Sequence, residues 1–64
     1  MRLNGEETEV KEEMSIGKLL EEKGYRRERV AVELNGEILP KNKYDDTMIK
    51  NDDVIEVVSF VGGG

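Results

Sequence analysis

The run Val54-Ile55-Glu56-Val57-Val58-Ser59-Phe60-Val61 decides the fold. Ile55 and Val57 share one phase of strand alternation, while Val54, Glu56, Val58 and Phe60 share the other, so the run is apolar on nearly both faces. A strand with so little polar alternation belongs in the middle of a sheet. The segment Glu6 to Val10 is far more polar and suits an edge, where unpaired backbone groups meet water. The last strand of the chain is therefore expected at the centre.

Working outward, two Asn-Gly pairs punctuate the chain, Asn4-Gly5 and Asn35-Gly36. Asn-Gly is the strongest short signal for a two-residue hairpin turn, because both central positions need positive φ. One hairpin is expected to join Arg2-Leu3 to Glu6–Val10, and a second to join Val30–Leu34 to Glu37–Leu39. Between them Ile16, Leu19 and Leu20 fall at i, i+3 and i+4, one face of a short helix. Ser15 is the expected N-cap, Met14 and Leu19 a hydrophobic staple, and Gly24 the left-handed stop. Lys18 stands where a capping box has Glu or Gln, and Gly17 costs about 1 kcal/mol relative to Ala, so this helix depends on packing against a sheet. Pro40 opens a polar connection through Lys50 with one short helical turn, and Asn51-Asp52-Asp53 marks a turn. Two hairpins flanking a helix, with the last strand inserted between them, give an α+β fold: a β-grasp, with a mixed sheet of four to five strands and one helix on one face. Its expected core is Leu3, Val10, Ile16, Leu19, Leu20, Val30, Val32, Leu34, Ile49, Ile55 and Val57.

Sixty-four residues allow one domain, near the size at which a single core only just offsets chain entropy. The expected organisation is a folded body over residues 1–60 and a flexible glycine tail over 61–64. No apolar run approaches the roughly 20 residues of a membrane helix, and the acidic N-terminus is unlike a signal peptide, so a cytoplasmic protein is expected. Cysteine and histidine are both absent. Disulfides, thiolate nucleophiles, imidazole bases and zinc sites of the usual kind are thereby excluded, and no metal site is expected. The net charge of -5, with ten Lys and Arg against fifteen carboxylates, argues against nucleic acid. It favours an electropositive protein partner, although such acidity also serves solubility alone.

Phe60-Val61 is followed by Gly62-Gly63-Gly64, and three glycines after a central strand add nothing to that strand. They read as a frayed end or as a tail built for reach. Extended, three residues span about 10 Å, and a terminal glycine carboxylate has no Cβ to hinder an attacking group. The carboxylate is a poor electrophile and needs prior activation, for example as an adenylate. The chain has no Gly-rich loop followed by Lys-Ser or Lys-Thr to hold ATP, so activation falls to another protein.

The run Val32-Glu33-Leu34-Asn35-Gly36-Glu37-Ile38-Leu39-Pro40, the Ile16–Leu20 helix, the Asp53–Val58 strand and the Val61-Gly62-Gly63-Gly64 end together resemble the ThiS family of ubiquitin-like sulfur carriers of thiamine biosynthesis. The resemblance covers essentially the whole chain. It implies a carrier that is itself no enzyme and binds no cofactor. Gly64 would be adenylated by a ThiF-type enzyme using ATP, converted to a thiocarboxylate, and presented to a ThiG-type thiazole synthase as sulfur donor. Gly62 and Gly63 match the family's flexible tail. Asp52 departs from a family Gly at a turn, and Gly17 from a better helix former. The small subunit of molybdopterin synthase shares the fold and the Gly-Gly end but is usually longer. A ubiquitin-like modifier joined through Gly64 to lysines, or an interaction domain with an inert tail, are the alternatives.

If Ile55 and Val57 face the helix, Val58 and Phe60 lie on the uncovered sheet face beside the tail. With Val61 they are candidates for partner binding, against the alternative of ordinary exposed apolar residues. The chain is otherwise expected to be a monomer when alone. The groups Glu6-Glu7-Glu9, Glu12-Glu13, Glu21-Glu22 and Asp45-Asp46 read as solvated faces, since no calcium-loop pattern is present. Arg26, Arg27 and Arg29 form a small basic cluster before the third strand.

Overall fold

A computed structural model describes residues 1–10 and 13–60. Five strands and one helix follow in the order β1 (Arg2–Leu3), β2 (Glu6–Glu7), α1 (Ile16–Glu22), β3 (Val30–Leu34), β4 (Glu37–Leu39) and β5 (Val54–Ser59), with single 3-10 turns at Arg27–Arg29 and Lys41–Lys43. The sheet order is β2-β1-β5-β3-β4. The last strand is thus central, parallel to β1 and antiparallel to β3, and both short hairpins end in edge strands.

Both Asn-Gly pairs form the expected turns, with φ of 51° and 52° at Asn4 and Asn35 and 84° and 86° at Gly5 and Gly36. Each asparagine also reaches sideways into the central strand. Asn4 Oδ1 accepts from the Val57 amide at 2.8 Å, and Asn35 Oδ1 accepts from the Val54 amide at 2.9 Å. Asn35 Nδ2 donates at 3.0 Å to Asp53, a buried carboxylate that also accepts from the Lys50 amide at 2.8 Å. The two turns thus hold β5 from both sides.

In α1, Ser15 caps the first turn by accepting from the Lys18 amide at 3.0 Å. The helix ends in a paired closure at Gly24, whose φ is +83°: the Gly24 amide donates to Glu21 O and the Tyr25 amide to Leu20 O. Ile16, Leu19 and Leu20 are buried against Leu3, Val30, Val32, Ile55 and Val57, the inward phase of β1, β3 and β5. Fully burying three such side chains contributes roughly 5–9 kcal/mol, which supports a seven-residue helix too short to persist alone.

The structure corrects several sequence expectations. The second strand is Glu6–Glu7 rather than 6–10: Thr8 still exchanges hydrogen bonds with Met1, the next pair of the same antiparallel register, and no ladder partner follows it among the described residues. The last strand stops at Ser59 rather than 61, though the Phe60 amide still donates to Arg29 O. Val10 and Leu34 pack only at the core's margin, while Met1 and Tyr44 belong to the core itself. Gly17 is explained by close approach: a Cβ there would lie 2.5 Å from Arg27 Nη2 and nearer still to Asp45 Oδ1.

Candidate functional site

The helix covers one face of the sheet and leaves the other open. On β5, Ile55 and Val57 point to the core, being 0% and 8% exposed, whereas Val54 and Val58 are 46% and 56% exposed. The sequence reading of the two phases therefore holds. Register extends the open face across neighbouring strands. Ala31 stands opposite Val58, Glu33 opposite Glu56, and Ile38 on the edge strand opposite Glu33. One step beyond the ladder, Arg29 faces Phe60, which is 52% exposed, at the point where β5 leaves the sheet.

The result is a surface of Ile38, Ala31, Val54, Val58 and Phe60 around the Glu33–Glu56 pair, with Arg29 at the exit of the strand. Sequence reading leaves Ile38, 66% exposed, unplaced together with Ala31, Glu33 and Arg29; for Ile38 its alternation with Leu39 in a hairpin is the available signal. Of the sequence-derived site residues, Val58 and Phe60 lie together on this face. Val61, Gly62, Gly63 and Gly64 lie outside the described residues.

The basic cluster is divided by its contacts. Arg27 makes a bidentate pair with Asp45, at 2.8 and 2.5 Å, packed over Gly17. The hydrogen bonds from Arg27 hold the Asp45 carboxyl below its usual range, and Asp45 in turn raises the Arg27 guanidinium. Lys41 Nζ donates to the carbonyls of Arg27 and Val30 and so clamps the start of β3. Arg29 makes no side-chain hydrogen bond or ion pair among the described residues, in keeping with a place on the open face. Burial pushes the Tyr44 phenol up, opposed by the Val32 backbone and Arg27. It sits in the core, away from the open face, and is structural.

A hollow lined by Met1, Val10, Met14, Leu19 and neighbouring polar residues lies beside the helix, on the opposite side from the open face. No group of three or more potential metal-ligating side chains occurs among the described residues. Among the described residues no helix is long and apolar enough to cross a membrane.

A five-stranded mixed sheet grasping one helix, with a central last strand running toward the end of the chain, defines a ubiquitin-like β-grasp protein. The chain belongs to the ThiS family, whose model matches residues 1–64. It is 38% identical over 65 residues to the sulfur carrier protein ThiS of Bacillus subtilis, covering 100% of this chain and 98% of that protein. It is also 42% identical over 62 residues to a thiazole synthase of Paramagnetospirillum magneticum, covering 97% of this chain but only 19% of that longer protein. The crystal structure of the thiamine biosynthesis protein ThiS from Geobacter metallireducens superposes with a TM-score of 0.81 at 38% identity, covering 98% of this chain and 96% of that one.

Proposed function

We propose that this protein carries sulfur for thiazole formation in thiamine biosynthesis, as a consumed reagent rather than a catalyst. The observation that carries the reading is the family match over the full chain, residues 1–64. The carboxylate of Gly64 attacks the α-phosphorus of ATP on a separate ThiF-type enzyme, releasing pyrophosphate and leaving an acyl adenylate. Sulfide-level sulfur delivered by the donor then attacks the acyl carbon, the C–S bond forming as the C–O bond to AMP breaks, and loss of its proton leaves the thiocarboxylate. Thiazole synthase takes that sulfur. Gly62 and Gly63 give the tail its reach and its slender cross-section.

The composition supports assigning catalysis to the partners, since the chain contains neither cysteine nor histidine. Partnership with a thiazole synthase is supported by the relative in which a segment like this chain makes up 19% of a protein of that name. Val58, Phe60 and Val61 are the docking residues nearest the tail, and the exposure of Val58 and Phe60 suits a surface that associates and releases. The body is a monomer between encounters, acts in the cytoplasm, and holds no cofactor of its own.

Intact-mass measurement tests the reading. Incubation with ATP, the ThiF-type enzyme of the same organism and a sulfur donor should replace one oxygen by sulfur at Gly64. No replacement, with an enzyme shown to adenylate another carrier, refutes it. Phe60→Ala should weaken complexes with both partners, and unchanged binding to both refutes the docking role.

A further inference from the structure

The open face contains an arrangement that works against the isolated fold. Glu33 and Glu56 are direct cross-strand partners on β3 and β5. Like charges in that position repel, because directly opposed Cβ atoms lie only about 4.5–5.5 Å apart. Neither carboxylate has an ion-pair partner among the described residues, and Ile38 and Val58 flank them with apolar surface. Arg2 is the nearest cation by register, opposite Val54, and it pairs with Glu7 instead.

From this geometry, and resting on the docking role proposed above, we infer that the partner enzyme inserts an arginine or lysine between Glu33 and Glu56 from the centre of an apolar patch. Three features of the face converge on that occupant. The apolar rim of Ile38, Ala31, Val54, Val58 and Phe60 excludes water from the centre once a partner is seated, which strengthens an ion pair there. Two carboxylates at opposed positions can each accept from the N–H groups of one basic side chain placed between them. The pair also disfavours the obvious competitor, a second copy of this chain. Two such faces meeting about a twofold axis would bring four carboxylates into one apolar contact.

The arrangement assigns opposite signs to two measurable effects. Neutralising the pair relieves repulsion within the free domain and removes attraction in the complex. The double substitution Glu33→Gln/Glu56→Gln should leave the melting temperature equal or higher. It should also raise the Kd for the ThiF-type enzyme or the thiazole synthase about tenfold or more at low salt, a gap that narrows at high salt. A merely structural role predicts the reverse: a lower melting temperature, with affinity falling only as folding fails.

Calorimetric titration of both enzymes with native chain, the double variant and Phe60→Ala separates the possibilities. Weakened binding of the double variant to either enzyme, with salt sensitivity reduced, supports the inference. Unchanged or tighter binding to both overturns it. If Phe60→Ala weakens binding while the double variant does not, the docking face stands and the basic partner residue is excluded. If neither variant has an effect, the docking face itself fails. Sedimentation completes the test: a native chain that dimerises through this face overturns the assignment, and self-association only of the double variant supports it.

Discussion

Asn35 offers the sharpest test of how this small domain is held together. Its side chain accepts from the Val54 amide and donates to Asp53, and its backbone sits at a φ of 52°. Replacing it with alanine removes two hydrogen bonds, each contributing about 1 kcal/mol, and adds about 1 kcal/mol for placing a Cβ-bearing residue without a local side-chain bond in the left-handed region. The sum is about 3 kcal/mol. A 64-residue domain has only about 3–10 kcal/mol in total, so Asn35→Ala should lie close to unfolding at room temperature. Asn35→Gly keeps the backbone freedom and loses only the side-chain bonds, for a cost of about 2 kcal/mol. With a urea slope of about 1 kcal/mol/M for so short a chain, the midpoint should fall by about 3 M for alanine and about 2 M for glycine. Amide exchange under native conditions should accelerate more at Val54, whose acceptor is gone, than at Val57, which Asn4 still holds. Midpoints within about 0.5 M of native for both variants, or glycine worse than alanine, would refute the account.

Burial raises the Tyr44 phenol, so its contribution to stability is complete below the unfolded value of about 10 and is lost as pH rises through the higher folded value. Tyr44→Phe should therefore lose less stability than native protein between pH 9 and 11 in urea titrations. Asp45 is shifted the other way by Arg27, and its contribution is present above the unfolded value and disappears as pH falls through the depressed folded one. Gly17→Ala, which must displace that exposed pair, should return the Asp45 carboxyl toward its ordinary range by NMR titration. Its net stability change should stay under about 1 kcal/mol, since the helix-propensity gain offsets the lost pair. On β5, Ile55→Ala should cost about 2–5 kcal/mol and Val58→Ala under about 0.5 kcal/mol in urea unfolding, despite lying three residues apart.

The topology was legible because a few local signals had one physical meaning each. Asn-Gly twice over could only be tight hairpins, and a last strand apolar in both phases could only sit inside the sheet. Ser15 and Gly24 bounded the helix for reasons of backbone geometry. The misses arose where tertiary contacts decide. Tyr44 lies in a polar connection, and nothing local shows that the chain folds it under the sheet to 1% exposure. Gly17 looked like a flaw in the helix until Arg27 and Asp45, distant in sequence, were found packed over it. The open face was half legible: β5 displayed its own two phases, but Glu33, Ile38 and Arg29 join it only through register.

That register also explains why the apolar residues of the outward phase need a cause beyond folding. One seven-residue helix covers one face of a five-stranded sheet, and no second layer exists among the described residues to cover the other. Val54, Val58 and Ile38 keep about half or more of their surface in water, so they add little to the folded state. The same positions filled by Thr or Lys would satisfy the strand equally well and would remove an aggregation hazard. On the docking role proposed above, what the apolar residues supply is realised when water leaves that face on association. The opposed Glu33 and Glu56, on the inference drawn for them, follow the same logic with the sign reversed: like charges at that register cost the free domain something and would become favourable beside a cation. On that proposal stability and association lie on opposite phases of a single strand, and substitutions in β5 should separate the two properties residue by residue.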